Sequence, residues 1–255
     1  MKISIITVCF NAQQTIAETI TSVCSQNYHD VEYLVIDGSS ADKTTDIIRA
    51  HPQYSRIANF ISEPDGGIYD AMNKGIGMAS GEIIGLLNAD DIYLDNTVLE
   101  QVAMVFEDQS IDACYADLIY VKQFDPSKII RYWQSQSFRP GLFEKGWMPA
   151  HPTFFVRRKI YEKFGLFDLS FKHQADFELT MRYLSVHQIR TRYIPKIWVK
   201  MRLGGISNRS FLGVIKSNME AYQACKKNKL KILMAPLFIL RKIASRIPQF
   251  LNKPK

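Results

Sequence analysis

Four times in the first hundred residues a short aliphatic run breaks off and a helical pattern follows. The runs are Ile3–Phe10, Glu32–Ile36, Asn59–Ser62 and Glu82–Leu87. The helical patterns are Thr15–Ser25, Thr44–Ala50, Ile68–Met78 and Thr97–Phe106; in the first, Ile16, Ile20 and Val23 share one face. Such alternation leaves few folds open. It predicts an α/β architecture with a mainly parallel, Rossmann-like sheet and helices on both faces. In these sheets ligands sit beyond the carboxyl ends of the strands. The polar clusters at Asn11, Asp37 and Asn88–Asp91 each follow a strand directly, so they are expected to meet at one edge.

Beyond residue 110 the pattern is less regular. Ala113–Val121, Thr153–Val156 and Thr191–Ile194 read as short strands, and Ala175–Val186 as a helix, among aromatic-rich loops. Residues 1–220 read as one unit with halves 1–110 and 111–220, and 221–255 as a tail. With 47% hydrophobic and 22% charged residues, a folded core is expected.

The net charge of +7 is uneven. Lys226–Lys255 holds nine Lys or Arg and no acid, which leaves 23 basic against 25 acidic residues elsewhere. That disfavours nucleic acid as a partner of the body. The tail reads as an amphipathic helix broken by Pro236 and Pro248, with Leu237, Leu240, Ile243, Ala244, Ile247 and Leu251 on one face. A basic, apolar helix suits an anionic membrane surface. The same face can instead pack on the body. The longest apolar run, Ile232–Leu240, is too short to span a bilayer. The opening run lacks a cleavage site, so it reads as a buried strand rather than a signal peptide. The four cysteines have neither paired nor zinc-site spacing and fit a reducing compartment. The expected location is cytoplasmic.

Several clusters carry groups suited to chemistry. Asn88-Ala89-Asp90-Asp91 ends a very apolar strand, and acids there suit a hard cation such as Mg²⁺ or Mn²⁺. The same residues also make a turn and helix cap. Asp37-Gly38-Ser39-Ser40 offers an acceptor for a base or ribose beside a glycine that allows close approach, or simply a capped turn. Glu63 to Gly75 packs glycines, acids and Lys74 into one loop that can wrap a nucleotide. Asp176 begins a helix and can serve as its cap or as a general base. His151 lies among aromatics that include Trp147, in the half where an acceptor would bind.

In their order and spacing these segments resemble glycosyltransferase family 2, which has the GT-A fold. Ile3–Val8 with Asn11 is similar to the family's opening strand, and Asp37-Gly38-Ser39 to its base-binding turn. Gly81-Glu82 with Asn88–Asp91 is similar to the metal segment. Phe164–Asp168 and Ala175–Leu179 resemble the stretch ending in the catalytic base, and Gly204-Gly205-Ile206-Ser207 a loop that follows it. The resemblance covers about residues 1–210. It implies donor contacts from Thr7, Val8, Asn11, Asp37, Gly38, Ser39, Asp65, Asn73, Lys74, Asn88 and Ala89. It implies Mn²⁺ or Mg²⁺ on Asp90, Asp176 as the base, and Trp147 and His151 toward the acceptor.

Glu63–Gly75 looks most like bacterial O-antigen and exopolysaccharide enzymes. Those imply a UDP-hexose donor, a polyprenyl-diphosphate-linked acceptor and a peripheral site at the inner membrane face. Two departures stand out: Asn88 replaces a common Asp, and Ala175 a common acid. They leave room for a nucleotide-sugar-binding module without catalysis. A dinucleotide oxidoreductase would need G-x-G-x-x-G after the first strand, and Cys9–Gln13 has no glycine.

Overall fold

The computed structural model describes residues 1–203, 211–245 and 249. The Gly204–Ser207 loop and the tail residues Ile247, Pro248 and Leu251 lie outside them.

The first four strands are β1 (Ile3–Cys9), β2 (Val31–Asp37), β3 (Ile57–Ser62) and β4 (Ile83–Leu86), all parallel, in the order β3-β2-β1-β4. Every residue of β1 is buried, because helices cover both of its faces. Ile3, Ile5 and Cys9 face one core, shared with Ile16, Ile20 and Val23 of α1 (Ile16–Cys24) and Ile48 of α2 (Thr44–Ala50). Ile6 and Val8 face the other, shared with Ala71, Met72 and Ile76 of α3 (Ile68–Met78). A Cβ at Gly75 would come within 2.4 Å of Ile6, so glycine lets α3 lie close against β1.

Beyond β4 the sheet turns mixed. β5 (Asp91–Tyr93), α4 (Val98–Phe106), β6 (Ala113–Lys122), β7 (Asp125–Trp133), β8 (Phe155–Arg157) and β9 (Thr191–Arg202) follow. The order continues β4-β8-β6-β9-β5, with β7 beside β6; only the β6–β9 pair is parallel there. The expected parallel sheet thus describes the first half and an antiparallel extension completes it. β7 was not expected: Ser127–Ile130 of this edge strand is exposed, so no period-two pattern marks it. β9 runs past Ile194 to Arg202 because β6 pairs along it.

Three helices follow one another on the second core: α5 (Arg158–Phe164), α6 (Ala175–Met181), which continues as a π-helical turn to Val186, and α7 (Phe211–Lys227). The expected division at residue 220 falls inside α7. α8 (Ala235–Ala244) carries Pro236 in its first turn rather than being broken by it, since proline suits a first helical turn. Phe238 and Lys242 of α8 are buried on the body, Phe238 beside Tyr222 at 5.9 Å.

Glu32 ties β2 to its neighbours. Burial alone would push its carboxyl up, but donors from Ser4, Ser80 and Lys2 outweigh that and hold it at about 2, against the usual 4.5. A lowered folded value adds stability above the unfolded value, lost as pH falls through the folded one. Glu32→Gln is therefore expected to remove on the order of 3 kcal/mol at neutral pH and little below about pH 2, measurable by denaturant unfolding across that range.

Candidate active site

Asp37 ends β2 fully buried. Its Oδ2 accepts from Ser40 N (2.9 Å) and Ser62 Oγ (2.6 Å), and its Oδ1 from the Ser40 hydroxyl and, at 3.4 Å, the Cys9 thiol. Burial and then the Asp37 charge push the Cys9 thiol far up. Asn11, at φ 51°, ties the end of β1 to the next loop: its Oδ1 accepts from Ala41 N at 2.9 Å and its N donates to Ser40 Oγ at 2.8 Å. Ser39 is also left-handed, at φ 62°. A Cβ at Gly38 would lie 2.5 Å from Asp65 Oδ2. The turns after β2 and β3 therefore touch at this edge. Gly38 N donates to Cys9 O and Ala89 N to Val8 O, which brings in the ends of β1 and β4.

The 63–70 loop is braced. Lys74 pairs with Glu63 at 2.9 Å and donates to Pro64 O at 2.9 Å; the Glu63 bond leads in raising its pKa. Asp65 Oδ1 accepts from Gly67 N and Asp70 Oδ2 from Gly66 N, both at 2.8 Å.

Beside this edge lies the acidic segment. Burial holds the Asp90 carboxyl above its usual range, against the pull of Arg202. Asp91 is fully buried, and burial followed by the Asp90 charge pushes it well up. Arg202 Nη1 reaches only the Asp90 main-chain oxygen, at 3.0 Å. Asn88 Oδ1 and Asp91 Oδ1 are buried acceptors without a partner among the described residues. Two desolvated acids and orphaned oxygens are what a hard cation relieves, so the residues present fit Mg²⁺ or Mn²⁺. Among the described residues no three His, Cys, Asp or Glu converge as a metal group. One or two carboxylates with donor phosphates and water suffice for such an ion.

Asp176 opens α6. Its Oδ1 accepts from Tyr69 Oη at 3.1 Å and from Phe177 N at 2.8 Å. Tyr69, on the first turn of α3, stacks on Phe167 at 5.4 Å, and His151 meets Phe167 edge-on at 5.8 Å. Both His151 ring nitrogens are buried without a partner among the described residues; burial lowers its pKa, against the nearby Asp176 charge. Trp147 belongs to another aromatic group, with Tyr115, Phe138 and Phe143.

The structure thus brings Asn11, Asp37, Gly38, Ser39, Asp65 and Asn88–Asp90 to one edge, with Lys74 bracing it, and leads through Tyr69 to Asp176. Four other residues expected at the donor carry bonds or packing within the body. The Thr7 hydroxyl is fully buried and accepts from Tyr33 Oη at 3.0 Å. Val8 packs in the core and its oxygen takes the Ala89 N–H; Ala89 O accepts from Thr19 at 2.9 Å. Asn73 gives both amide atoms to the Phe167 backbone, each at 3.0 Å. Tyr69, Ser62 and Arg202 were not anticipated. Tyr69 lies within the Glu63–Gly75 loop, but no local pattern marks it.

The model of the glycosyl transferase family 2 matches residues 4–165. A PGL/p-HBAD biosynthesis glycosyltransferase of Mycobacterium bovis is 28% identical over 216 residues, covering 80% of this chain and 78% of that protein. An uncharacterized glycosyltransferase of Rickettsia typhi is 26% identical over 256 residues, covering 98% and 77%. Among solved structures, S. aureus TarS 1–349 with UDP-GlcNAc aligns at a TM-score of 0.67 and 16% identity, over 96% of this chain and 72% of that one. The mannosyltransferase PcManGT of Pyrobaculum calidifontis, with GDP-Man and Mn²⁺, aligns at 0.66 and 19%, over 96% and 69%. The chain spans 39% of the longer TarS structure. These likenesses show a GT-A fold.

Proposed function

The chain belongs to glycosyl transferase family 2, and from that premise we propose that it moves a hexose from a UDP-hexose, with inversion, onto a polyprenyl-diphosphate-linked saccharide in the building of a bacterial surface polysaccharide. The observation that carries this is the meeting of four strand-end turns at one edge, with Asp176 linked to it through Tyr69. The UDP and UDP-GlcNAc in the TarS complexes support a uridine donor.

Asp37, Gly38 and Asp65 would hold the nucleoside. Asp90, with Asn88 Oδ1, would hold Mn²⁺ or Mg²⁺, which when bound neutralises the diphosphate leaving group. Both hydrogen bonds to Asp176 go to Oδ1. Oδ2 is then the oxygen that takes the proton of the acceptor hydroxyl. That hydroxyl oxygen bonds to the anomeric carbon as the bond to the diphosphate breaks, and the diphosphate leaves with the electron pair. His151 would contact the acceptor. The test is to incubate the protein with UDP-hexoses, Mn²⁺ and lipid-linked saccharide and read the anomeric configuration of the product. An inverted, UDP-derived hexose supports the reading; a retained configuration contradicts it.

The acceptor places the enzyme at a membrane surface. No described helix is long and apolar enough to cross a membrane. α8 is held to the body by one face and leaves Leu237, Leu240 and Ile243 exposed on another, after exposed Leu233 and Met234. Lys229 and Lys231 before them in sequence and Arg241 among them are exposed. Replacing both Leu240 and Ile243 with Glu is expected to weaken binding to anionic vesicles at least about ten-fold, since each buried aliphatic side chain is worth about 1.5–3 kcal/mol. Unchanged sedimentation with vesicles would rule out this face.

A further inference from the structure

A second cleft, of about 350 Å³, opens between the end of β7, the Leu142–Met148 segment and α8. Trp133 and Trp147 form aromatic walls, and Lys242 of α8 with Ser245 at its C-cap closes one side. The cleft is built from beneath. Asp117, 1% exposed on β6, accepts from Ser135 N at 2.7 Å, from Tyr193 Oη at 2.8 Å and from the Tyr132 hydroxyl. That fixes the backbone of Ser135 on the cleft wall and leaves its side chain unused. Ser135 is 8% exposed, and its Oγ is buried with no partner among the described residues. The same holds for Trp147 Nε1. Buried polar groups are nearly always paired, so two residues of one cleft lining that each carry an orphaned polar atom point to a ligand that draws those atoms into pairing.

The chemistry wanted is specific. The indole N–H needs an acceptor, the serine hydroxyl needs a donor or acceptor, and the aromatic walls need a flat apolar face. A pyranose supplies all three: hydroxyls around its rim and C–H groups across its face. The position also fits. Trp147 meets Phe143 at 5.4 Å and Phe143 meets Phe177 at 5.5 Å, the residue after Asp176. Lys242 donates to Gln174 Oε1 at 2.6 Å, at the N-cap of α6. The α8 wall therefore connects the cleft to the helix that carries Asp176.

We infer that this cleft is a saccharide subsite holding a unit of the acceptor other than the one that receives the hexose. The inference rests on the saccharide acceptor of the proposed function. It gives the exposed α8 face a purpose as well, since the same helix would touch the membrane and flank the glycan standing on it.

Tryptophan emission tests it, because Trp133 and Trp147 line the cleft while Trp198 is fully buried. The full chain is titrated with the methyl pyranosides of glucose, galactose, mannose, rhamnose and N-acetylglucosamine. A saturable change with at least one is expected. Ser135→Ala and Trp147→Phe should each weaken it about ten-fold, the size of one lost hydrogen bond. The same samples are titrated with UDP, GDP, CDP and dTDP in Mn²⁺. Nucleotide binding without any saccharide response overturns this inference alone. Failure of both titrations in folded protein overturns the proposed function with it. A saccharide response untouched by both substitutions places the sugar elsewhere and also overturns the inference.

Discussion

Asp176→Asn should lower the transfer rate by about 10²–10⁴-fold, the usual contribution of a general base, with nucleotide affinity unchanged. The substitution is nearly isosteric. An amide oxygen at Oδ1 still accepts from Tyr69 and Phe177 N, so the start of α6 stays in place. Only the second oxygen changes, from a proton acceptor to an N–H donor. A structural role would cost folding stability and spare the chemistry; a base does the reverse. Single-turnover rates beside a nucleotide titration separate the two. Wild-type turnover in this variant would remove Asp176 from the mechanism.

Asp90→Ala should weaken nucleotide binding in Mn²⁺ by about 100-fold or more. Groups that merely support a metal ligand already cost about 10–100-fold when removed, and Asp90 is the ligand we propose. Binding measured in EDTA should hardly change. The substitution has an opposite effect on the metal-free fold. Burial holds the Asp90 carboxyl above its usual range. A carboxyl raised in the folded state opposes folding at neutral pH; the penalty fades as pH falls through the raised folded value and is gone below the unfolded value of about 3.9. Metal-free Asp90→Ala is therefore expected to be more stable than the wild type at neutral pH, with the difference closing in acid. Denaturant unfolding in EDTA at several pH values reads it. A functional site held at the expense of stability is a common arrangement.

The parts of this molecule that were legible in the sequence are those governed by short-range rules. Burial on both faces makes β1, β2 and β4 near-continuous aliphatic runs, and the turn after each carries its own polar signature. The donor edge follows, because parallel strands place those turns side by side. What escaped notice depends on distance along the chain. Tyr69 and Asp176 are 107 residues apart, and no local pattern joins them. Asn73 has the same problem: its two hydrogen bonds to Phe167 make it a clip between the halves, where its loop suggested a donor contact. β7 is an exposed edge, so its side chains do not alternate. In α8 the hydrophobic face was visible. That Phe238 and Lys242 would dock while Leu240 and Ile243 stayed out depends on the body's surface, including Gly146, where a Cβ would fall 2.4 Å from Lys242.

Calorimetric titration of the protein with UDP, GDP, CDP and dTDP, each in Mn²⁺ and again in EDTA, tests the account most directly. The proposed UDP-hexose donor and metal site predict that UDP binds, and that chelation largely abolishes the binding. Folded protein that binds none of the four would contradict it, as would binding indifferent to metal.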